Sequence, residues 1–185
     1  MIPVQPPTQY PDNRHLPRPP VDGHALRTVC GNFATGVTVI TTGDERSGSA
    51  TTVNSFTSVS LEPPLVLFCL HRQSRLRPVL QESGGFVVNF LTHTQERLAW
   101  KFAGRESARL TEVPHHRSPG GLPVLSDALA YLECRLADEY DGGDHAILLG
   151  EVTGLGTHAE ETDPLVFYRG SMRALHGVGA TPADG

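Results

Sequence analysis

The feature that most limits the fold of this chain is a succession of short apolar runs separated by glycine, proline and charged residues. Their β-branched and aromatic residues favour strands, and the turn residues 43–48 predict a hairpin between the first two. The predicted strands are GVTVITT from Gly36, SATTVNSFTSVS from Ser49, LVLFCL from Leu65, FVVNFL from Phe86, AYLECRL from Ala130, HAILLGEV from His145 and PLVFYRG from Pro164.

Three other segments carry helical signals. Asp22 is a good N-cap for an amphipathic helix that continues until Gly36. A short helix is predicted over residues 74–82, where the proline would lie in the first turn. Thr94 is the predicted N-cap of a third helix over QERLAWKFA, in which Trp100 packs inward.

These elements lack a regular βαβ alternation, which favours a mostly antiparallel, closed β-barrel with peripheral helices over a doubly wound sheet. The length of 185 residues fits one domain. We predict a flexible proline-rich arm over residues 1–21, the folded domain over 22–176 and a flexible tail over 177–185. The polar stretch 105–122 is predicted to form a surface loop or a hinge over a site.

Composition and missing motifs narrow the class of protein. No apolar run of about 20 residues and no signal-peptide pattern occurs, so we expect no membrane span and a cytoplasmic location. A net charge of −5, with 15 dispersed Lys and Arg residues, argues against nucleic-acid binding. Three cysteines without CxxC, and histidines without HExxH, predict buried free thiols and no metal site. The Rossmann, P-loop and hydrolase motifs GxGxxG, GxxxxGKS/T and GxSxG are also missing.

Polar residues are densest on the predicted strand from Ser49. Because Asn54 and Ser55 face opposite sides of a strand, the inward groups need hydrogen-bond partners. A flat cofactor with carbonyl groups and ring nitrogens would supply them. The alternative is that these residues are β-favourable threonines and serines on a solvated face.

Two further polar segments lie at the ends of predicted strands: one follows the strand from Leu65, and the other precedes the strand from His145. Residues 71–75, HRQSR, combine backbone N–H groups, a hydroxyl and guanidinium groups that would bind a phosphate, unless they only cap a helix. Residues 141–145, DGGDH, lead into a strand. His145 would there orient a redox substrate or transfer a proton, unless it only bonds Asp144 in a turn.

Six segments, in order from Gly31 to Gly170, resemble the flavin reductase domain family, the small reductase components of two-component flavin-dependent monooxygenases. They read GNFATGVTVITT, TVNSFTSVSLEPPLVLFC, GGFVVNFL, LEC, GGDHAILLGEV and PLVFYRG. The resemblance implies an antiparallel, Greek-key split β-barrel of the FMN-binding type. It also implies a homodimer in which flavin lies in a groove near the subunit interface.

The resemblance implies ligand contacts for particular residues. The flavin contacts are Gly48, Ser49, Ala50, Thr51, Thr52, Asn54 and Ser55 at the ring, Cys69, Leu70, His71, Ser74 and Arg75 at the ribityl and phosphate groups, and Lys101 and Phe102 at the end of the third helix. The nicotinamide nucleotide contacts are His145, Phe167, Tyr168, Arg169 and Gly170. Two features depart from the family pattern: many relatives have glycine at Ala50, and the loop around residues 110–112 is abbreviated.

The implied reaction is reduction of FMN or FAD by NADH or NADPH, with a hydride passing from nicotinamide C4 to flavin N5. The expected catalytic residues are His145, which would orient the carboxamide or assist charge balance at the reduced flavin, and Ser55 and Thr52, which would polarise the N5/O4 edge. Reduced flavin would diffuse to a separate monooxygenase. Two alternatives stay open: a split-barrel flavoenzyme that retains its flavin and acts on its own organic substrate, and a non-catalytic flavin carrier.

Overall fold

The computed structural model describes residues 20–104, 109–157 and 162–175. Its α-helices are α1 (Gly23–Cys30), α2 (Leu76–Ser83) and α3 (Glu96–Ala103), and short 3-10 turns cover His93–Gln95 and Leu110–Glu112. Its strands are β1 (Thr35–Gly36), β2 (Thr38–Thr42), β3 (Ser49–Val53), β4 (Thr57–Leu61), β5 (Pro64–His71), β6 (Gly85–Phe90), β7 (His115–Arg117), β8 (Pro123–Leu125), β9 (Ala130–Gly142), β10 (His145–Thr157), β11 (Leu165–Tyr168) and β12 (Ser171–Ala174). Nearly all of the predicted arm, 1–21, and the whole tail, 177–185, lie outside the described residues.

The main sheet has seven strands in the order β3-β2-β6-β9-β10-β5-β4, and every pairing in it is antiparallel. A three-stranded sheet, β1-β11-β12, and the β7-β8 pair complete the described strands. The predicted hairpin is confirmed, since β2 and β3 pair from Thr38 with Val53 to Thr42 with Ser49. None of the helices in the described ranges is long and apolar enough to cross a membrane.

The predicted single strand from Ser49 to Ser60 is wrong. It is broken at residues 54–56 into β3 and β4, which lie at opposite edges of the main sheet. The break is required because β3 pairs with β2, whereas β4 pairs with β5. Sequence reasoning also missed β8 and β12, which are short, and placed β7 within a loop.

The core consists of two buried clusters on either side of β2, all five residues of which are buried. Ile40 packs in the cluster that contains Phe68 and Phe86, whose rings meet edge to face at 5.2 Å. Val39 packs in the other cluster, with Phe102 of α3. Side chains alternate along a strand, so one apolar run serves both clusters.

Two of the helices differ from their predictions. Asp22 does accept a hydrogen bond from Ala25 N, at 2.9 Å, but α1 ends at Cys30 instead of Gly36. The side-chain amide of Asn32 bonds the Thr28 carbonyl at 3.1 Å and so competes for the last helical acceptors. No residue of α1 is buried.

The N-cap predicted for the third helix is also wrong. Thr92 forms a reciprocal capping box with Gln95, and α3 follows directly. Trp100 is 48% exposed, because Ala99 and Phe102 occupy the inward face and Trp100 lies on the other side of the helix. The helix over residues 74–82 is confirmed as α2, which Gly84 ends with a φ of 67°.

The cysteines are free, as predicted, but only Cys134 is buried. Burial, with a smaller contribution from the charge of Glu133, raises the pKa of the Cys134 thiol to about 12. Cys30 is exposed and Cys69 is partly buried. The prediction of three buried thiols is therefore correct for Cys134 alone.

Asn89 joins three elements inside the core. It is fully buried, its Nδ2 donates to the Val39 carbonyl at 2.9 Å and to Thr41 Oγ1 at 3.0 Å, and its Oδ1 accepts from Leu125 N at 2.8 Å. The amide thus connects β6 with β2 and β8. A buried amide is tolerated when its donors and acceptors are paired in this way.

Replacing Asn89 by leucine keeps the side-chain size but leaves the buried Leu125 N–H without its acceptor. We expect a loss in the free energy of unfolding of roughly 1–3 kcal/mol for each polar group left unpaired. Urea unfolding of the full chain measures it. Asn54→Leu, the same exchange at an exposed position, is the control, and an equal loss in that variant would contradict the role of the buried amide.

Candidate functional site

The chain crosses from one edge of the main sheet to the other at residues 54–56, and Ser55 attaches this crossing to β5. Ser55 Oγ accepts a hydrogen bond from Cys69 N at 2.9 Å and donates to Cys69 O at 3.2 Å. The predicted ring-binding residues 48–55 therefore lie beside the predicted phosphate-binding residues 69–75. The single hydroxyl proton of Ser55 is used within the protein.

Thr52 connects β3 with α3 through its hydroxyl, which donates to the Ala99 carbonyl at 2.7 Å. The last turn of α3 contains Lys101 and Phe102. Phe102 is 3% exposed and packs in the core, whereas Lys101 is at the surface, with its ammonium group 2.9 Å from a carboxylate oxygen of Glu112. The hydrogen bond from Lys101 lowers the pKa of Glu112. Of the two predicted contacts, only the Lys101 side chain reaches the surface.

The first turn of α2 follows the predicted phosphate-binding segment. Ser74 Oγ accepts from Leu76 N at 3.3 Å, so this serine takes part in starting the helix. His71 and Arg75 are exposed, whereas Leu70 is buried in the core. The N-cap residue of α2 is Arg75, whose side chain makes no capping hydrogen bond, so the side chains of His71 and Arg75 stay at the surface. A guanidinium group at the N-terminal end of a helix suits an anion.

Arg77 and Glu139 hold α2 against β9. Arg77 Nε donates to Glu139 Oε1 at 2.8 Å, and Gln81 Nε2 donates to Oε2 at 2.8 Å. Desolvation raises the pKa of the Glu139 carboxyl, but the hydrogen bonds from Gln81 and Arg77 and the arginine charges outweigh it and lower the pKa below its ordinary value of 4.5. The position of the helix start thus depends on an ionised Glu139.

His145 begins β10 directly opposite His71 at the end of β5. The two rings meet edge to face, with centroids 5.3 Å apart and planes at 82°. His145 Nδ1 lies 2.7 Å from Asp144 Oδ1, and because a carboxylate only accepts, Nδ1 carries the proton. This bond lowers the pKa of Asp144. The register of β5 and β10 therefore brings the predicted phosphate-binding segment next to the predicted nicotinamide residue.

Arg72 takes part in the turn that precedes His145, although its sequence position suggested a phosphate contact. Arg72 Nε donates to the Gly143 carbonyl at 2.6 Å, and its guanidinium pairs with Asp141. Its backbone N–H bonds the Asp144 carbonyl at 3.1 Å. Arg72 thus fixes the β9–β10 turn, and local sequence offers no signal for this contact because the partners are about 70 residues apart.

The other predicted nicotinamide residues lie in the small sheet. Phe167 and Tyr168 end β11, and Arg169 and Gly170 turn the chain into β12 with φ values of 49° and 78°. The amide of Arg169 donates to the Gly31 carbonyl at 2.9 Å, so this turn contacts the end of α1. Residues of α1 and Asp144 line one surface cavity of about 600 Å³. Helix α1 therefore lies between the two predicted nicotinamide segments.

Comparisons with known proteins identify the family of the chain. A family model described as "Flavin reductase like domain" matches residues 30–176, and the chain belongs to this family. The reductase subunit HsaB of a flavin-dependent monooxygenase from Rhodococcus jostii (strain RHA1) is 39% identical over 163 residues, which cover 88% of this chain and 83% of HsaB. In the part of the chain that is described, no group of three or more His, Cys, Asp or Glu side chains is arranged to hold a metal ion.

Two solved structures show the same fold. BorF, the flavin reductase component of a bacterial two-component tryptophan halogenase, matches with a TM-score of 0.78 and 40% identity, over 83% of this chain and 98% of BorF. The NADH:FAD oxidoreductase SgcE6 of Streptomyces globisporus C-1027, in complex with NAD and FAD fragments, matches with a TM-score of 0.78 and 37% identity, over 88% of this chain and 96% of SgcE6. The predicted family, the mostly β split-barrel fold and the enzyme class, flavin reductase, are confirmed.

The Arg77–Glu139 contact makes stability depend on pH. Because the pKa of Glu139 is lower in the folded chain than in the unfolded one, its stabilising effect is present above pH 4.5 and is lost as pH falls through the folded value. We expect Glu139→Gln to lose less unfolding free energy than the wild type between pH 6 and pH 3.5, measured by urea unfolding. Glu151→Gln removes an exposed partner of Arg135 and should keep the wild-type pH dependence; a Glu139→Gln profile parallel to the wild type would contradict the assignment.

Proposed function

We propose that this chain reduces FMN or FAD with NADH or NADPH and supplies the reduced flavin to a separate monooxygenase. The observation that carries the proposal is the meeting of three segments: Ser55 bonds Cys69 at the crossing, and His71 packs against His145 at the other end of β5. The residues proposed to contact the flavin ring, the phosphate and the nicotinamide thus lie in one continuous region. The names of HsaB and SgcE6 support a partner monooxygenase and favour NADH and FAD among the four combinations.

In this proposal the flavin ring lies along residues 48–55, and the exposed His71 and Arg75 bind the phosphate end. With both ligands bound, these residues would hold nicotinamide C4 beside flavin N5, where the nucleotide would supply a hydride and solvent a proton for the two-electron reduction. The exposed donors fit an anionic ligand that must leave after reduction, because solvent screens their attraction. Reduced flavin must dissociate before it can diffuse to the monooxygenase, so the affinity of the chain for flavin has to be modest.

His145 acts by orienting the nicotinamide. Its Nδ1 donates to Asp144 at 2.7 Å, which leaves Nε2 as the ring nitrogen that can accept a hydrogen bond. That atom accepts a hydrogen bond from the carboxamide N–H group of the nucleotide. The edge-to-face contact with His71 limits rotation of the His145 ring. Holding the nicotinamide in one orientation lowers the activation barrier, because the entropy of orientation is lost on binding and not in the reaction step. Residues 167–170 contact the rest of the nucleotide.

Ser55 and Thr52 hold the walls of the groove. Each hydroxyl donates its proton to a backbone carbonyl, of Cys69 and of Ala99. Donation to the flavin N5/O4 edge, the catalytic role expected for both, requires the hydroxyl to leave that carbonyl when flavin binds. In the proposal these two residues polarise the ring only after such an exchange.

The test is a steady-state assay that crosses FMN and FAD with NADH and NADPH, followed by His145→Ala. We expect the variant to lower the rate of flavin reduction by about 10-fold or more, because a lost orienting hydrogen bond to a reacting ligand costs about 1.4 kcal/mol or more. His116→Ala, an exposed histidine on β7, is the control. Wild-type rates for His145→Ala, with an unchanged unfolding midpoint, would remove the role of His145.

Two alternatives have distinct outcomes. A flavoenzyme that retains its flavin stays yellow through dialysis, whereas a flavin-releasing reductase becomes colourless. A flavin carrier binds flavin but does not bleach its absorbance when NADH is added in a stopped-flow experiment. Either outcome would contradict the proposed function and support the corresponding alternative.

We also propose a homodimer that covers the open end of the main sheet. The pairing of β10 with β5 stops at Glu151, so residues 153–157 have β9 on one side and no described strand on the other. Leu155 on this part of β10 is 70% exposed, and Leu61 at the end of β4 is 90% exposed. An open edge with exposed leucines favours association with another surface, and a second copy is the partner proposed.

Leu61→Asp tests this interface. A charge buried between two copies is unfavourable, so we expect the variant to shift from dimer to monomer in sedimentation-velocity measurements. Tyr140→Asp places the same charge at a 51% exposed position near the other end of the sheet and should leave the dimer intact. A wild-type chain that sediments as a monomer, or a Leu61→Asp variant that remains fully dimeric, would contradict the proposed interface.

A further inference from the structure

Thr35 has a hydrogen-bonding group that the fold does not use. Among the residues that the structure describes, Thr35 Oγ1 is the one buried side-chain oxygen or nitrogen without a hydrogen-bond partner. Buried polar atoms are nearly always paired, because an unpaired one costs free energy. Thr35 was not among the site residues predicted from the sequence. Its unpaired hydroxyl therefore needs an explanation.

Thr35 lines a mostly apolar cavity. The cavity has a volume of about 410 Å³, and its other walls include Phe33, Thr38, Phe56 and Phe90. Phe56 and Phe90 meet edge to face at 5.2 Å. A mostly apolar, aromatic-lined cavity with few polar groups is typical of sites for planar organic ligands.

The cavity also adjoins the proposed flavin groove. Asn54, at the crossing between β3 and β4, lines the same cavity as Thr35. On its other side, Thr35 pairs with Phe167 in the β1–β11 ladder. Thr35 thus lies between a residue proposed to contact flavin and a residue proposed to contact the nicotinamide nucleotide.

We propose that Thr35 is a binding residue for the flavin ring, in an inference that rests on the proposed function. Ligand entry turns its side chain about χ1, so that the hydroxyl pairs with a carbonyl or N–H group at the pyrimidine edge of the ring. A threonine has more than one staggered rotamer available, and a turn to another rotamer moves Oγ1 to the position of a neighbouring substituent on Cβ. The hydroxyl that is unpaired in the free protein becomes paired in the complex.

Thr38 provides a matched comparison in the same cavity. Its Oγ1 donates to the Val53 carbonyl at 3.0 Å, and its side chain is 3% exposed. The Thr38 hydroxyl thus has a partner within the protein, and the Thr35 hydroxyl does not. Replacement by valine, which has the same shape without the hydroxyl, should therefore weaken flavin binding at Thr35 and lower the unfolding midpoint at Thr38.

The experiment measures flavin affinity and stability on the full chain, using FMN and FAD titrations followed by fluorescence and thermal unfolding without ligand. Thr35→Val should weaken flavin binding by about 5–20-fold and leave the unfolding midpoint unchanged or higher, because an unpaired oxygen is removed. Thr35→Ser keeps the hydroxyl and should bind within about 2-fold of the wild type. Thr38→Val should lower the midpoint and leave flavin affinity within the same limit.

Each result separates this inference from the proposed function. If wild-type protein binds and reduces flavin but Thr35→Val binds equally well, or if Thr35→Ser is as weak as Thr35→Val, the role of Thr35 is overturned while the reductase activity stands. A lowered midpoint in Thr35→Val with unchanged affinity would assign the hydroxyl a structural role and also overturn it. If the wild type neither binds nor reduces flavin, the proposed function itself fails.

Discussion

Ser55 bonds both backbone groups of Cys69, and this contact determines where the chain passes from one edge of the main sheet to the other. Consecutive strands β3 and β4 lie at opposite edges, so the sheet has to curve until those edges approach. The same curvature brings the start of α2 beside the crossing. The proposed flavin groove would therefore be a consequence of closing the sheet, because the residues at the crossing lie next to the end of β5.

The polar groups around this crossing fall into two sets. The hydroxyls of Ser55 and Thr52 and the guanidinium of Arg72 are bonded within the protein, where they hold strands, a helix and a turn in place. His71, Arg75 and the Nε2 side of His145 are accessible to a ligand. A reaction that moves a hydride between two bound rings needs positioned partners more than reactive side chains, which suits this division.

Much of the fold was predictable because each strand and hairpin carries its own local signal. The β-branched run of β2, the turn between β2 and β3 and the proline in the first turn of α2 all act within a few residues. The errors occur where the structure of a segment depends on a partner that is distant in the sequence. Trp100 is exposed because Ala99 and Phe102 already fill the face of α3 that packs in the core, and the strand from Ser49 breaks because its two halves pair with different neighbours.

The sequence by itself determined the family, the predominance of strands and the residues predicted to contact a flavin and a nicotinamide, since motifs and periodicity are local properties of the chain. Only the tertiary structure decided which of those residues meet. The pairing of β5 with β10 brings His71 against His145, and the guanidinium of Arg72 binds a turn about 70 residues away. Hydrogen-bond pairing is likewise a property of the folded chain, so the unpaired hydroxyl of Thr35 has no counterpart in the sequence.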